Sequence, residues 1–148
     1  MENYVGKIKL LYAQFNGKNL DLLDQYYAGD VSFRDPVTQI QGLENLKQYY
    51  SHAYQYVNSI EFLFSDIWHA DERYCAEWEM KLSAQGLNSG KIFSVHGVSI
   101  LHFDSQGLIR RHQDYLDLGE MVYEQIPIQG YVIKAIKHRL NVKAAGKL

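Results

Sequence analysis

Apolar residues recur at two different periods along this 148-residue chain, and the change of period divides it. Near the start Tyr4, Ile8, Leu11, Tyr12 and Phe15 fall three to four apart, the spacing of one helix face. Residues 2–15 therefore read as an amphipathic helix ended by Asn16-Gly17. A second short helix is expected from Asn19 to Tyr27, and Val31, Phe33 and Asp35 then alternate as a strand up to Pro36. Leu43, Leu46, Tyr50, Ala53, Tyr54 and Val57 mark a third helix.

From there the period is two. Ile60, Phe62, Phe64 and Trp68 lead through a turn at Ala70-Asp71-Glu72 to Tyr74, Ala76, Trp78, Met80 and Leu82. SAQGLNSG reads as a loop, and strands at Ile92 to Phe103 and Leu108 to Asp117 meet at Asp104-Ser105-Gln106-Gly107. Residues 118–140 return to helical spacing, with a break expected around Pro127 and Gly130. This order is an α+β plan: a strongly curved, mainly antiparallel sheet wrapped on N-terminal helices and enclosing a pocket. One domain over residues 1–118 is expected, with a C-terminal helical tail over 119–148 packed on it or extending it.

Asp35 is the anomaly in the pattern. It follows Val31 and Phe33 on a face that should turn inward, and a buried carboxylate needs a partner or a task. A second inward carboxylate emerges from the last hairpin. With four residues in the turn, Phe103 faces Leu108, Leu101 faces Arg110, Ser99 faces His112 and Gly97 faces Asp114. That face also carries Phe93 and Val95, so His112 and Asp114 should point inward, with Gly97 leaving room for a ligand. An apolar cavity disfavours the charged form of a carboxylate, which suits a general base working near neutrality. The candidate catalytic residues are Asp114, Asp35 and His112, the last orienting or oriented by Asp114. Tyr12, Ser99, Trp68, Trp78 and Phe33 are the candidate substrate contacts.

Composition narrows the possibilities. Hydrophobic residues make up 47% of the chain and charged ones 22%, enough for one well-buried core. A single cysteine, Cys75, excludes an internal disulfide framework, and the histidines show no zinc-type spacing, so no metal is expected. No organic cofactor is expected either, because no phosphate-binding glycine loop or dinucleotide fingerprint is present. The start MENYVGKIKL lacks the apolar core of a signal peptide, and no stretch reaches the roughly 20 apolar residues of a membrane span, so a cytoplasmic location is expected. The net charge of −2 is uneven: residues 131–148 hold five basic residues and no acid, leaving the first 130 at −7. An acidic body disfavours nucleic acid as a partner. In the tail, Val132, Ile133, Ile136 and Leu140 form an apolar stripe. Such a helix either rests weakly on an anionic membrane surface or packs on this domain or a second subunit.

The stretches YYAGDVSFRDPV, GLENLKQYY and VSILHFDSQGLIRRHQDYLD resemble the nuclear transport factor 2-like superfamily, which includes ketosteroid isomerases and SnoaL-like polyketide cyclases. The resemblance runs from about residue 4 to 118 and implies a cone-shaped, cystatin-like fold, dimeric through the outer sheet face. Asp35 falls where ketosteroid isomerases hold their proton-shuttling carboxylate, and Tyr12 near their oxyanion tyrosine. Asp114, in HQDYLD, matches the acid/base Asp of the cyclases. Ser99 stands where the isomerases place an un-ionised Asp and the cyclases a supporting His, so each site is matched in part. The resemblance implies a cofactor-independent isomerase, cyclase or dehydratase acting on a hydrophobic small molecule. The alternative it also supplies is a non-catalytic ligand-binding or protein-interaction module.

Overall fold

The structure, a computed structural model, describes residues 3–142. The first helix, α1, spans Val5–Gln14 and turns Ile8 and Leu11 into the core. A 3-10 turn at Leu20–Gln25 takes the place of the expected second helix. The strand after it, β1, spans Tyr27–Arg34 and so begins four residues earlier than the alternation suggested. Tyr26-Tyr27-Ala28 is apolar throughout and carries no period of its own; pairing of Tyr27 with Ile109 makes it strand. A three-residue strand, β2 (Gln39–Gln41), returns along β1, and α2 follows at Leu43–Ala53 with Leu43 and Leu46 buried.

The long meander then runs through β3 (Val57–Ala70), β4 (Arg73–Ala84), β5 (Phe93–Phe103) and β6 (Ile109–Leu116). The six strands form one sheet in the order β2-β1-β6-β5-β4-β3, antiparallel except where β1 runs alongside β6. Register breaks occur in β3, in β1 and at the start of β6. Each adds local bend and twist, curling the sheet over α1 and α2 into a cone. Leu23, Phe33, Leu46, Tyr74 and Leu101 belong to one buried apolar cluster, and Trp78, Met80, Leu82 and Val95 form a second.

Two of these breaks correct the sequence reading. In β3 the ladder shifts between Phe64 and Asp66, so Ile67 takes the inward place and Trp68 turns to the outer face, 48% exposed. Trp68 is therefore outside the cavity and is no substrate contact within it. At the last hairpin the loop is five residues, not four: Asp104 to Leu108, closed by Asp104 N–H on the Leu108 carbonyl, with Gly107 at φ +78°. Phe103 pairs with Ile109, a second one-residue shift follows, and the lasting register is Leu101 with His112, Ser99 with Asp114 and Gly97 with Leu116. Arg110 is thrown outward rather than lying opposite Leu101. Two single-residue shifts equal one full period, so His112 and Asp114 still face inward.

After β6, a short helix α3 (Leu118–Met121) is capped by Asp117, whose Oδ1 accepts the Glu120 amide at 3.0 Å. Glu120 in turn accepts the His96 amide at 2.7 Å, which fixes α3 to β5. The last helix, α4, spans Pro127–Val142. Pro127 opens it, and Gly130 lies within it instead of breaking it. A Cβ at Gly130 would stand 2.5 Å from the Glu124 carbonyl oxygen, so only glycine permits that close crossing. Lys137 anchors the helix to Glu124 at 2.7 Å and to Asp117 at 3.5 Å. Val132, Ile136 and Leu140 are exposed and so are not packed on this domain. Two of the tail's basic residues, Lys143 and Lys147, lie outside the described residues. No helix among those described is long and apolar enough to cross a membrane.

Candidate active site

Between the curled sheet and the helices lies a cavity of about 370 Å³. Asp35, His112 and Asp114 all line it, as do Tyr12, Phe33 and Trp78. Leu118 and Met121 bring α3 over one side, so the start of the tail is part of the wall.

Asp114 sits in a network that its neighbours leave little freedom. Its Oδ1 accepts the Ser99 hydroxyl at 2.6 Å and meets His112 Nε2 at 2.7 Å. Ser99 has one proton, and that proton is given to Asp114. Its oxygen then accepts from Trp78 Nε1 at 3.0 Å and from the Tyr12 phenol at 2.5 Å. His112 is held at its other nitrogen by the Tyr27 hydroxyl, 2.8 Å from Nδ1, with the two rings within 1° of parallel. Phe33 meets the imidazole edge to face at 4.9 Å. Among the described residues no hydrogen bond reaches Asp114 Oδ2.

This network places Ser99 behind the wall. It is fully buried and does not line the cavity, so it supports Asp114 rather than touching a ligand. Gly97 also has a different task from the one expected. A Cβ there would stand 2.3 Å from the Trp78 ring, so the missing side chain makes room for the indole and not for a ligand. Lying across Gly97, the indole delivers its N–H to Ser99.

Asp35 is held in another way. It follows β1 directly, and its Oδ1 accepts the amides of Val37 at 2.8 Å and Thr38 at 2.9 Å, closing the turn around Pro36. Its Oδ2 accepts the Tyr49 phenol at 2.5 Å. Asp35 is therefore at once the cap of its own turn and a carboxylate in the cavity wall.

Of the phenols at this cavity, the sequence pattern singles out Tyr12 alone as a candidate contact. Tyr27 fell in an expected helix, and Tyr49 and Tyr54 went unassigned as site residues. Tyr49 follows Leu46 by three on α2, which places it toward the same face. Burial, reinforced by the charge of Asp114, pushes the hydroxyls of Tyr12, Tyr27 and Tyr54 above the ordinary phenol range. Tyr49 is raised by burial and then by Asp35. These groups stay protonated and act as donors. Tyr54 lines the cavity, and among the described residues no hydrogen bond engages its hydroxyl. No cluster of His, Cys, Asp or Glu among the described residues is arranged to hold a metal ion.

The sequence matches the SnoaL-like domain family over residues 8–112, and the chain belongs to that family. None of the curated proteins matches it significantly in sequence. Solved structures share the fold. A protein from Jannaschia described as a SnoaL-like polyketide cyclase is 12% identical with a TM-score of 0.73, covering 84% of this chain and 91% of its own. Another so described, from Shewanella denitrificans, is 21% identical with a TM-score of 0.65, covering 79% and 89%. A protein with a ketosteroid isomerase-like fold from Catenulispora acidiphila, in complex with trimethylamine, is 18% identical with a TM-score of 0.70, covering 81% and 91%. The fold is thus the nuclear transport factor 2-like cone with a C-terminal helix.

Proposed function

We propose that the cavity is the active site of a cofactor-independent enzyme in which Asp114 moves a proton on a hydrophobic small molecule. The observation that carries this reading is the asymmetry of Asp114. Oδ1 is tethered by Ser99 and His112, while Oδ2 is unengaged on a carboxylate that lines the cavity. A tethered carboxylate with an open oxygen is oriented for general-base work at negligible cost in reorganisation.

On a carbonyl substrate, Oδ2 takes a proton from the carbon beside the carbonyl and the electron pair moves to the carbonyl oxygen. The free Tyr54 hydroxyl donates to that oxygen, and the protonated Asp114 returns its proton at a second position. His112 holds the carboxylate's orientation, with Tyr27 fixing the ring. Isomerisation, ring closure and dehydration all contain such a step. The open cavity with both carboxylates in its wall favours this over an interaction domain, whose interior would be filled.

The test is deuterium incorporation followed by proton NMR. A bicyclic ketone such as 2-tetralone, shown to bind by quenching of tryptophan fluorescence, is incubated with the protein in D2O. Protein-catalysed exchange beside the carbonyl is expected, slowed about 10²–10⁴-fold in Asp114→Asn. A bound ketone that exchanges no faster than in buffer, or equally fast with the variant, overturns the proposal.

A further inference from the structure

The cavity wall combines two features that no Lys or Arg offsets. Asp35 and Asp114 bring two carboxylates, and among the described lining residues the one basic group is His112. The wall thus holds two acidic groups against one basic group. The rest of the wall is largely apolar, and ten of its 28 lining residues are Phe, Tyr or Trp, whose ring faces carry negative quadrupole charge. Arg34, Arg110 and Arg111 stand close in sequence to Asp35 and His112, yet all three are exposed and absent from the lining.

Such an interior repels carboxylates and phosphates, takes neutral hydrophobes by area alone, and attracts an organic cation by charge and by its ring faces. The two carboxylates divide the work by position. Asp35 adjoins the exposed Pro36 and Val37 at the rim, whereas the Asp114 side chain is 18% exposed and tethered through Ser99 and His112. Asp35 Oδ2 has one phenol on it, which leaves acceptor capacity for a further donor. Resting on the assignment of this cavity as the substrate site, we infer that the substrate is a hydrophobic amine, cationic at neutral pH, whose ammonium is held at Asp35 while its reacting carbon lies at Asp114. The negative charge of Asp114 is felt across the cavity: after burial it is among the causes that raise the phenols of Tyr49, Tyr50 and Tyr54.

Three naphthalene probes of similar size test this by calorimetry on the full chain: 2-naphthylmethylamine, 2-naphthalenemethanol and 2-naphthoate. The amine is expected to bind about tenfold more tightly than the alcohol, and the carboxylate least of all. Asp35→Asn, checked for folding by circular dichroism, is expected to collapse the amine-to-alcohol ratio toward one. Equal binding of amine and alcohol, tighter binding of the carboxylate, or a ratio unchanged in folded Asp35→Asn overturns the inference. The outcome is separable from the proton-transfer reading. Ketone exchange lost in Asp114→Asn without amine preference removes only the substrate class, whereas amine preference without exchange removes only the chemistry.

Discussion

Asp114 and Asp35 are both carboxylates at one cavity, and the structure holds them by opposite means. Asp114 is gripped by side chains from four elements, with Ser99 on β5, His112 on β6, Trp78 on β4 and Tyr12 on α1 converging directly or through one hydroxyl. Asp35 is gripped by its own turn, through amides two and three residues on, with one phenol added from α2. The first arrangement exists only when the whole cone is assembled. The second is local and would form wherever this turn forms. A carboxylate placed by global packing has its angle set by the core and keeps one oxygen free, as a base requires. One placed by backbone amides is a fixed negative point, as a binding group requires.

The largest expected effect that separates them is on alkaline stability. Tyr12, Tyr27, Tyr49, Tyr50 and Tyr54 are all raised first by burial, and the charge of Asp114 adds to every one, whereas Asp35 acts on Tyr49. A phenol raised in the folded chain keeps its proton after the unfolded chain has lost it. The contribution of these phenols is therefore full below about pH 10, and stability falls above it at about 1.4 kcal/mol per pH unit for each such phenol until its folded value is reached. Urea denaturation across that range should show this fall, and Asp114→Asn should cut it short more than Asp35→Asn does. Equal flattening by the two would erase the distinction.

Gly97→Ala attacks the Asp114 side alone. The new Cβ would meet the Trp78 ring at 2.3 Å, and the indole must move off Ser99. Overpacking of this kind costs about 1–3 kcal/mol. Denaturation measures the loss, and proton–nitrogen NMR should show a displaced Trp78 indole signal while the Val37 and Thr38 amides on Asp35 stay in place. An unmoved indole signal would mean that Gly97 does not seat the support of Asp114.

The same contrast explains what the sequence disclosed. Alternation from Ile60 to Phe64 and from Tyr74 to Leu82 located the meander because side-chain period is a local property of strands. It could not reveal the break before Asp66, since a bulge is set by what the neighbouring strand demands, and Trp68 was misplaced as a result. At the last hairpin two such shifts compensated, so His112 and Asp114 were correctly faced although each was paired with the wrong partner. Asp35 was legible because it continues the local alternation of Val31 and Phe33, which is a property of the strand itself. Ser99 and Gly97 were noticed as positions but given the wrong tasks, because the bond to Trp78 and the place of its indole join residues about 20 apart in sequence. Tyr27 and Tyr49 were invisible as site residues for the same reason, their partners lying 85 and 14 residues away.

The smallest expected effect is that of Tyr49→Phe, and its smallness is the point. The substitution removes the one side-chain donor on Asp35 among the described residues and leaves both backbone amides on Oδ1. Asp35 stands beside the exposed Pro36 and Val37, so water can take the place of the phenol on Oδ2. The cost should be about 1 kcal/mol, with the Val37 and Thr38 amide signals unshifted. If the carboxylate were instead oriented by α2, the variant would release it, those amides would lose their shared acceptor, and the loss would match that of Gly97→Ala. Measured side by side, the two variants decide whether Asp35 is held by its turn or, like Asp114, by the assembled cone.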